Sequence, residues 1–458
     1  MRGMLVSHLI QRGFDHQDAY EIADAVRGAL SKRKELPKKE IVGIVGEILE
    51  AGYGDHQLGD LLFWEQAPRS VTVDRKSGTR PFSKELLSHS IQASGLPPDR
   101  SYLVAKEIET RLIDERRELA AKAFQHVAHY DTIVSSFLRG ESLVDGDFPS
   151  EFTGGWNLIS KLKYGENPHQ TGAIYASPGT PSGLAGAEQL LGPELGYVNY
   201  LDADSAWRSV QTLSDTAVSI VKHTNPCGLA IHEDQSEAFK RALAGDPVSA
   251  YGGIVGFNRT VTAETVATMK GTLFHVVIAP GYEPNALEEL SKRKSARVLR
   301  VNRPSSPALQ VHTITGGLLI QSPDTIPETP DDWEVKTDIQ PTPEQVRDLS
   351  FSLHACAMIK SNAIVMVKDQ AIMGMGAGQP NRVMSVEISA QLAGDEAKGS
   401  VLASDAFFPF PDSIEAADAA GCTAIIAPGG SIRDGEVIEE ANKRGIVLVF
   451  TPNRHFLH

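Results

Sequence analysis

The sequence predicts an α/β protein preceded by a mostly helical N-terminal domain, and three observations carry that reading. Beyond Trp156, short β-rich runs alternate with helical stretches, at residues 217–221, 276–279, 364–367, 424–427 and 446–450. The last two flank a helical run over 434–444 that Gly445 ends, which is the spacing of a strand–helix–strand unit. The runs are apolar without alternation, as strands are in sheets covered on both faces.

Residues 1–140 read as helical. Across 17–32, Tyr20, Ala23, Val26 and Leu30 fall near one helical face, and 40–51 is a second amphipathic run that Gly52 stops. RSVTVDRKSGTRPF (69–82) breaks that texture. Val71 and Val73 alternate with polar residues, and Lys76-Ser77-Gly78 reads as a turn, so a short hairpin is expected, then helices from Ser83. SHLIQRG (7–13) recurs as SHSIQASG (88–95). Tyr20, Ala23, Val26 and Leu30 then align with Tyr102, Ala105, Ile108 and Leu112, which predicts one supersecondary unit duplicated. GESLVDGDFPSEFTGGW (140–156) has no apolar period and marks a boundary, giving domains 1–140 and 157–458.

The composition narrows the function classes. With 458 residues, 41% hydrophobic, 22% charged and a net charge of −14, the chain is a globular protein of two or three domains. The acidic balance argues against general nucleic-acid or membrane-surface binding, but leaves room for a local basic pocket. Three scattered cysteines, Cys227, Cys356 and Cys422, make no disulfide framework, and without a CxxC pair a zinc site would need other ligands; no metal is expected. The first residues lack an apolar signal-peptide core and no stretch reaches 18 apolar residues, so a cytoplasmic location is expected.

Five segments concentrate polar chemistry. In VKHTNPCG (221–228) an apolar strand ends on Lys222 and His223, and Thr-Asn-Pro-Cys-Gly predicts a loop. Ligands in open α/β sheets meet residues just past strand ends. His223 suits proton transfer at neutral pH, and Lys222 can stabilise developing negative charge. LKYGENPHQ (162–170) crowds a tight bend with polar groups, and reads equally as a solvated turn. Ser361 and Asn362 lead into a buried strand, and MGMGAGQPNR (373–382) follows. There Gly374, Gly376 and Gly378 would let backbone approach a ligand, and Arg382 could hold an anion. In GSVLASDAFFPFPDSIE (399–415), Phe407, Phe408 and Phe410 with two prolines make either a clamp for a flat ring or a core cluster. NRHFLH (453–458) follows directly on a strand.

Taken in order, LKYGENPHQ, VKHTNPCG, DPVSAYGGIVGFN, VKDQAIMGMGAGQ, ASDAFFPFPDSIEAA and RHFLH resemble the AICAR transformylase half of the bifunctional purine-biosynthesis enzyme, over residues 157–458. The resemblance implies formyl transfer from 10-formyltetrahydrofolate, the co-substrate, to the 5-amino group of AICAR. It implies two cytidine-deaminase-like subdomains without the deaminase zinc, and no HxE with a downstream PCxxC is present. It also implies a homodimer with sites at the subunit interface, and no nucleic-acid or membrane partner. Lys222 and His223 match the family's catalytic pair, and Asn362 the asparagine beside the formyl group. Lys163, Tyr164, Asn199, Asp246, Arg382, Phe407 and Arg454 match positions around the nucleotide. Phe408, Pro409, Phe410 and Asp412 match the loop that meets the folate. Lys163 departs from the usual arginine, Tyr251 from a Phe, and Pro380-Asn381 from Met-Ser. Nothing in residues 1–140 resembles the cyclohydrolase domain, which is expected to be lacking. Residues 71–95 are similar instead to the ATP-cone, implying ATP or another purine nucleotide as effector at Arg75, Lys76 and Lys84. Two rival readings are a formyltransferase acting on another aminoimidazole ribotide and a non-catalytic nucleotide sensor.

Overall fold

The computed structural model describes residues 6, 9, 16–30, 44, 47–48, 72–75, 78–81, 84–113, 117–139, 148–179, 181–302, 309–326 and 328–458. The chain divides into two compact units, residues 1–140 with 151–155, and 141–150 with 156–458.

In the first unit, α1 (His16–Leu30) precedes an antiparallel hairpin of β1 (Thr72–Arg75) and β2 (Gly78–Pro81). Then come α2 (Lys84–Ala93), α3 (Pro98–Ile113) and α4 (Arg117–Arg139). α1 buries Ala19, Ile22, Ala23 and Val26. Of the expected face, Ala23 and Val26 are buried, while Tyr20 is 39% exposed and Ala19 and Ile22 take its place in the stripe. Val6 and Leu87, equivalent in the sequence repeat, are both buried. Lys76 and most of the 40–51 run lie outside the described residues.

In the second unit, β3 (Asn157–Leu162) pairs with β4 (Gly172–Ala176). A succession follows of β5 (Glu188–Leu191), α5 (Tyr197–Gln211), β6 (Ala217–Lys222), β7 (Asn225–Ile231), α6 (Gln235–Gly245), β8 (Gly253–Phe257), α7 (Ala263–Thr268), β9 (Phe274–Ala279), α8 (Pro284–Ser291) and β10 (Arg297–Arg300). After a hairpin of β11 (Gln310–Ile314) and β12 (Gly317–Gln321), the same succession recurs. It runs β13 (Glu334–Val335), α9 (Pro343–Ala357), β14 (Ile364–Lys368), β15 (Ala371–Gly376), α10 (Arg382–Ala393), β16 (Val401–Ser404), α11 (Asp412–Ala420), β17 (Ala424–Pro428), α12 (Asp434–Arg444) and β18 (Val447–Thr451). The two halves share one mixed 12-stranded sheet in the order β13-β18-β17-β16-β14-β15-β7-β6-β8-β9-β10-β5. The order is a mirror of itself about the β15–β7 junction, so the fold is an internal duplication. β8, β17 and β18 are buried at every position, as expected for strands covered by helices on both faces.

Strand directions follow from the pairings. β7 and β15 are antiparallel, as are β6 with β7 and β14 with β15, while β8 to β10 and β16 to β18 run parallel. The end of β6, the start of β14 and the ends of β15, β16 and β18 therefore share one edge of the sheet. The β14–β15 turn lies on the opposite edge.

The duplication reaches single residues and corrects two expectations. The segment after His223-Thr224 is not a loop: Asn225 onward is strand β7, with a bulge at Cys227 between the pairs Val221–Pro226 and Ile220–Gly228. A bulge is where a sheet tolerates proline. β15 has the matching bulge at Met373, between Val367–Ile372 and Met366–Gly374. Nor do Gly374 and Gly376 approach a ligand. Both lie in β15 against the backbone of α10, where an added Cβ would meet Ser389 O at 2.2 Å and Ser385 O at 2.0 Å. Gly228, equivalent to Gly374, packs the same way, its Cβ position 1.9 Å from Ala242 O in α6. We expect Gly228→Ala and Gly374→Ala each to cost at least about 1–3 kcal/mol in urea denaturation, by forcing a helix off the sheet. Loss below about 0.5 kcal/mol for both would show that the helices can move away freely.

Candidate functional site

The first cluster is built on the turn between β6 and β7. His223 and Thr224 have φ of 51° and 63°, the left-handed pair of a two-residue hairpin. Thr224 N donates to Asp202 Oδ1 at 2.7 Å, and Ser205 Oγ to Thr224 O at 2.6 Å, both from α5. Asn225 Nδ2 donates to His223 O (3.0 Å), and its Oδ1 accepts from Lys360 N (3.0 Å), tying the turn to the segment that ends in Asn362. The His223 residue is exposed, while Lys222 is half-buried with Nζ donating to Tyr251 O at 3.0 Å.

Two neighbours of Lys222 escaped the sequence reading. A Cβ on Gly252 (φ 72°) would lie 3.3 Å from the His275 ring and 3.4 Å from Lys222 Nζ, so a glycine there keeps these groups close. Burial, then Lys222 and Arg297, hold the His275 pKa below its usual value, so this imidazole stays neutral beside the lysine. His275 and Arg297 open strands β9 and β10 on the same edge, a placement legible only once strand directions are known. Cys227, though inside the motif, is not a nucleophile: its buried thiol is pushed up to about 12 by burial first and by Asp246 second.

The second cluster surrounds Asn362. Arg382, the first residue of α10, is buried and forms an ion pair with Asp405, whose side chain is wholly buried. The guanidinium also donates to Ser404 Oγ (2.8 Å) and Asn362 Oδ1 (2.6 Å), while Ser361 Oγ donates to Asp405 Oδ2 (2.5 Å). Asn362 Nδ2 donates to Gln379 O at 2.8 Å, and Ser385 Oγ reaches Asn362 O at 2.9 Å. Arg382 therefore orients the Asn362 amide. A cavity of about 570 Å³ opens beside them, lined also by Phe407, Pro409, Phe410, Asp412 and Arg454.

Other expected residues fall outside that cavity. Phe408 is 2% exposed and belongs to the core with Ile414 and Leu448, so the ring-clamp reading fits Phe407 and Phe410 but not Phe408. Asn199 caps α5, its Oδ1 accepting Gly196 N at 3.1 Å, and Asp246 accepts Ser249 N at 2.8 Å after α6. Lys163 is exposed, with Nζ 5.9 Å from the centre of the Tyr164 ring. Arg75 ends β1, and Lys84 Nζ lies 5.5 Å from the Tyr102 ring centre. Among the described residues, no group of three or more His, Cys, Asp or Glu is placed to hold a metal, and no helix is long and apolar enough to cross a membrane.

Residues 454–458 are stitched to the same edge. Ser361 N donates to Leu457 O (2.8 Å), Lys360 Nζ to His458 O (2.7 Å) and His455 N to Asp405 O (3.1 Å). The His455 side chain is buried between two carboxylates, with Nδ1 3.0 Å from Asp324 Oδ2 and Nε2 3.4 Å from Glu328 Oε1. Burial alone would lower its pKa, but Asp324 and then Glu328 raise it above the usual value. This clamp fixes Arg454 and Phe456, on either side of His455, in the lining of the cavity.

The AICARFT/IMPCHase bienzyme family matches residues 100–392. The match starts inside α3, ahead of the first motif, and stops short of the Phe-rich loop. The chain is 46% identical to the bifunctional purine biosynthesis protein purH of Dictyostelium discoideum, over 76% of this chain and 69% of the relative. It is 45% identical to PurH of Desulfitobacterium hafniense (75% and 68%) and 44% identical to PurH of Mycobacterium ulcerans (75% and 67%). The chain belongs to the AICARFT/IMPCHase bienzyme family.

The His455 clamp makes a pH prediction. Because the folded value is raised, the clamp's contribution is fully present below the unfolded histidine value of about 6.5 and is lost as pH rises through the folded one. We expect the melting temperature of Asp324→Ala to fall furthest below wild type near pH 6, with the gap narrowing as pH rises through the folded histidine value in calorimetry. A gap that widens with pH would reverse the assigned charge state.

Proposed function

We propose that formyl transfer runs along the shared sheet edge, with His223 as general base and with Lys222 and Asn362 holding the developing oxyanion. AICAR formyl transfer in purine biosynthesis is the activity of this chain. The observation that carries the residue assignment is the convergence of the His223 turn and the Asn362 pocket on one edge, linked through Asn225 and Lys360.

The 5-amino group of AICAR is a weak nucleophile, because its lone pair is delocalised toward the carboxamide. As nitrogen attacks the formyl carbon, His223 accepts the amine proton and the carbonyl oxygen takes up negative charge. Lys222 Nζ, which donates to Tyr251 O, and the Asn362 amide, which donates to Gln379 O and Pro380 O, are the N–H groups proposed for that oxygen; standing three strands apart, they converge on it only when the lysine side chain leaves Tyr251 and reaches across the edge. When the intermediate collapses, the imidazolium returns its proton to the departing nitrogen of tetrahydrofolate, so protons and electron pairs balance.

The turn and the pocket sit three strand spacings apart, ~14 Å, a distance suited to two substrates lying side by side. The folate ring would occupy the cavity between Phe407 and Phe410. The ribotide would use Tyr164, Lys163, Asn199, Asp246, Arg382 and Arg454. The two halves of the sheet fit the two deaminase-like subdomains. A homodimer that closes the site is supported by Val248 and Tyr251, 85% and 61% exposed beside Lys222's partner carbonyl. The described helices and hairpin before residue 140 are read as a nucleotide-responsive module, with ATP or a related purine nucleotide as effector. A cytoplasmic location suits such an enzyme.

His223→Ala should lower kcat by about 10²–10⁴ while AICAR still binds, as measured by steady-state kinetics and calorimetry on the full chain. A kcat near wild type would remove His223 from the chemistry.

A further inference from the structure

We infer that Asp202 is a positioning residue for His223, holding the reactive turn in its left-handed conformation from inside the protein. This rests on the reading of His223 as the base. A two-residue hairpin turn with both φ positive is normally made by Asn and Gly; a histidine and a β-branched threonine are poorly suited to it. Something must hold them there, and α5 does so. Asp202 is 6% exposed and accepts the Thr224 amide at 2.7 Å. One turn further along the helix, Ser205 Oγ donates to Thr224 O at 2.6 Å. The Thr224 residue is thus gripped on both its N–H and its C=O.

The duplicated fold contains its own control. Asp348 is the sixth residue of α9, as Asp202 is the sixth of α5. It accepts Asp369 N at 3.0 Å and Gln370 N at 2.8 Å, in a turn whose φ values are 50° and 53°. The same helix-borne carboxylate therefore grips the equivalent turn in the other half, which carries no histidine and faces the opposite edge. The device is geometric in origin. The first half has attached a reactive side chain to it and added a hydroxyl at Ser205, where the second half has Phe351. Geometry at this position matters, because a misplacement of about 1 Å can cost on the order of 10²-fold in rate.

The test is steady-state kinetics of the full chain with AICAR and 10-formyltetrahydrofolate, beside melting temperatures, for Asp202→Ala, Asp202→Asn, Asp348→Ala and His223→Ala. Asn keeps an oxygen that can accept the Thr224 amide. The expected result is kcat down by about 30-fold or more in Asp202→Ala with KM for AICAR within about 3-fold, and most of that loss recovered in Asp202→Asn. Asp348→Ala should lose comparable melting temperature but keep kcat within about 2-fold, a split that a merely structural role would not produce. Should Asp202→Ala fail to fold, Ser205→Ala removes the grip on the carbonyl side and must lower kcat at unchanged KM. A loss in His223→Ala with wild-type kcat in Asp202→Ala or Ser205→Ala overturns this inference alone, as does an equal kcat loss in Asp348→Ala. A wild-type rate in His223→Ala overturns the base assignment and the inference with it.

Discussion

Antiparallel pairing of β7 with β15, in register at Ala230 and Ala371, joins two copies of one topology into a single sheet, and the candidate site exists only along the edge this junction creates. In each copy the second strand of the hairpin is the one left free to pair. Joining second strand to second strand turns the halves in opposite directions. One edge then carries the β6–β7 turn of the first half together with the strand ends of the second. Neither half alone presents both a histidine on a turn and an amide in a pocket.

What holds each piece in place is a buried polar clamp. Burying an ion pair such as Arg382–Asp405 is costly unless its remaining donors and acceptors are satisfied. Ser361, Ser404 and Asn362 supply those partners. Such a network contributes little net stability over a well-packed apolar alternative, but it allows few arrangements. Its effect is to fix which way the Asn362 amide points. Asp202 and His455 do comparable work at the turn and beside the cavity, each by placing a charged group where only one backbone geometry satisfies it.

Strand positions and the helix over 434–444 were legible in the sequence because apolar runs and glycine stops depend on local chemistry. The family was legible too, because several long polar motifs recur in order. The misreadings share a cause, which is that one residue type serves two physical ends. Pro226 reads as a strand breaker, yet a bulge at Cys227 accommodates it. Gly374 and Gly376 read as a ligand cradle, yet they make room for a helix. Phe407, Phe408 and Phe410 look alike in the sequence, and only burial separates Phe408 as core. The duplication itself left no visible sequence repeat. It shows in paired geometry: Asp202 with Asp348, Gly228 with Gly374, and two left-handed turns.

Replacing Asp405 by Asn most directly tests whether these buried clamps, rather than the catalytic groups alone, set the activity. The substitution keeps the shape but removes the charge that anchors Arg382 and, through it, Asn362. In protein with wild-type circular dichroism, the account predicts kcat lower by about 10- to 100-fold, the loss of one charge-assisted hydrogen-bond contribution of roughly 1.5–3 kcal/mol. An Asp405→Asn enzyme with wild-type kcat would contradict it.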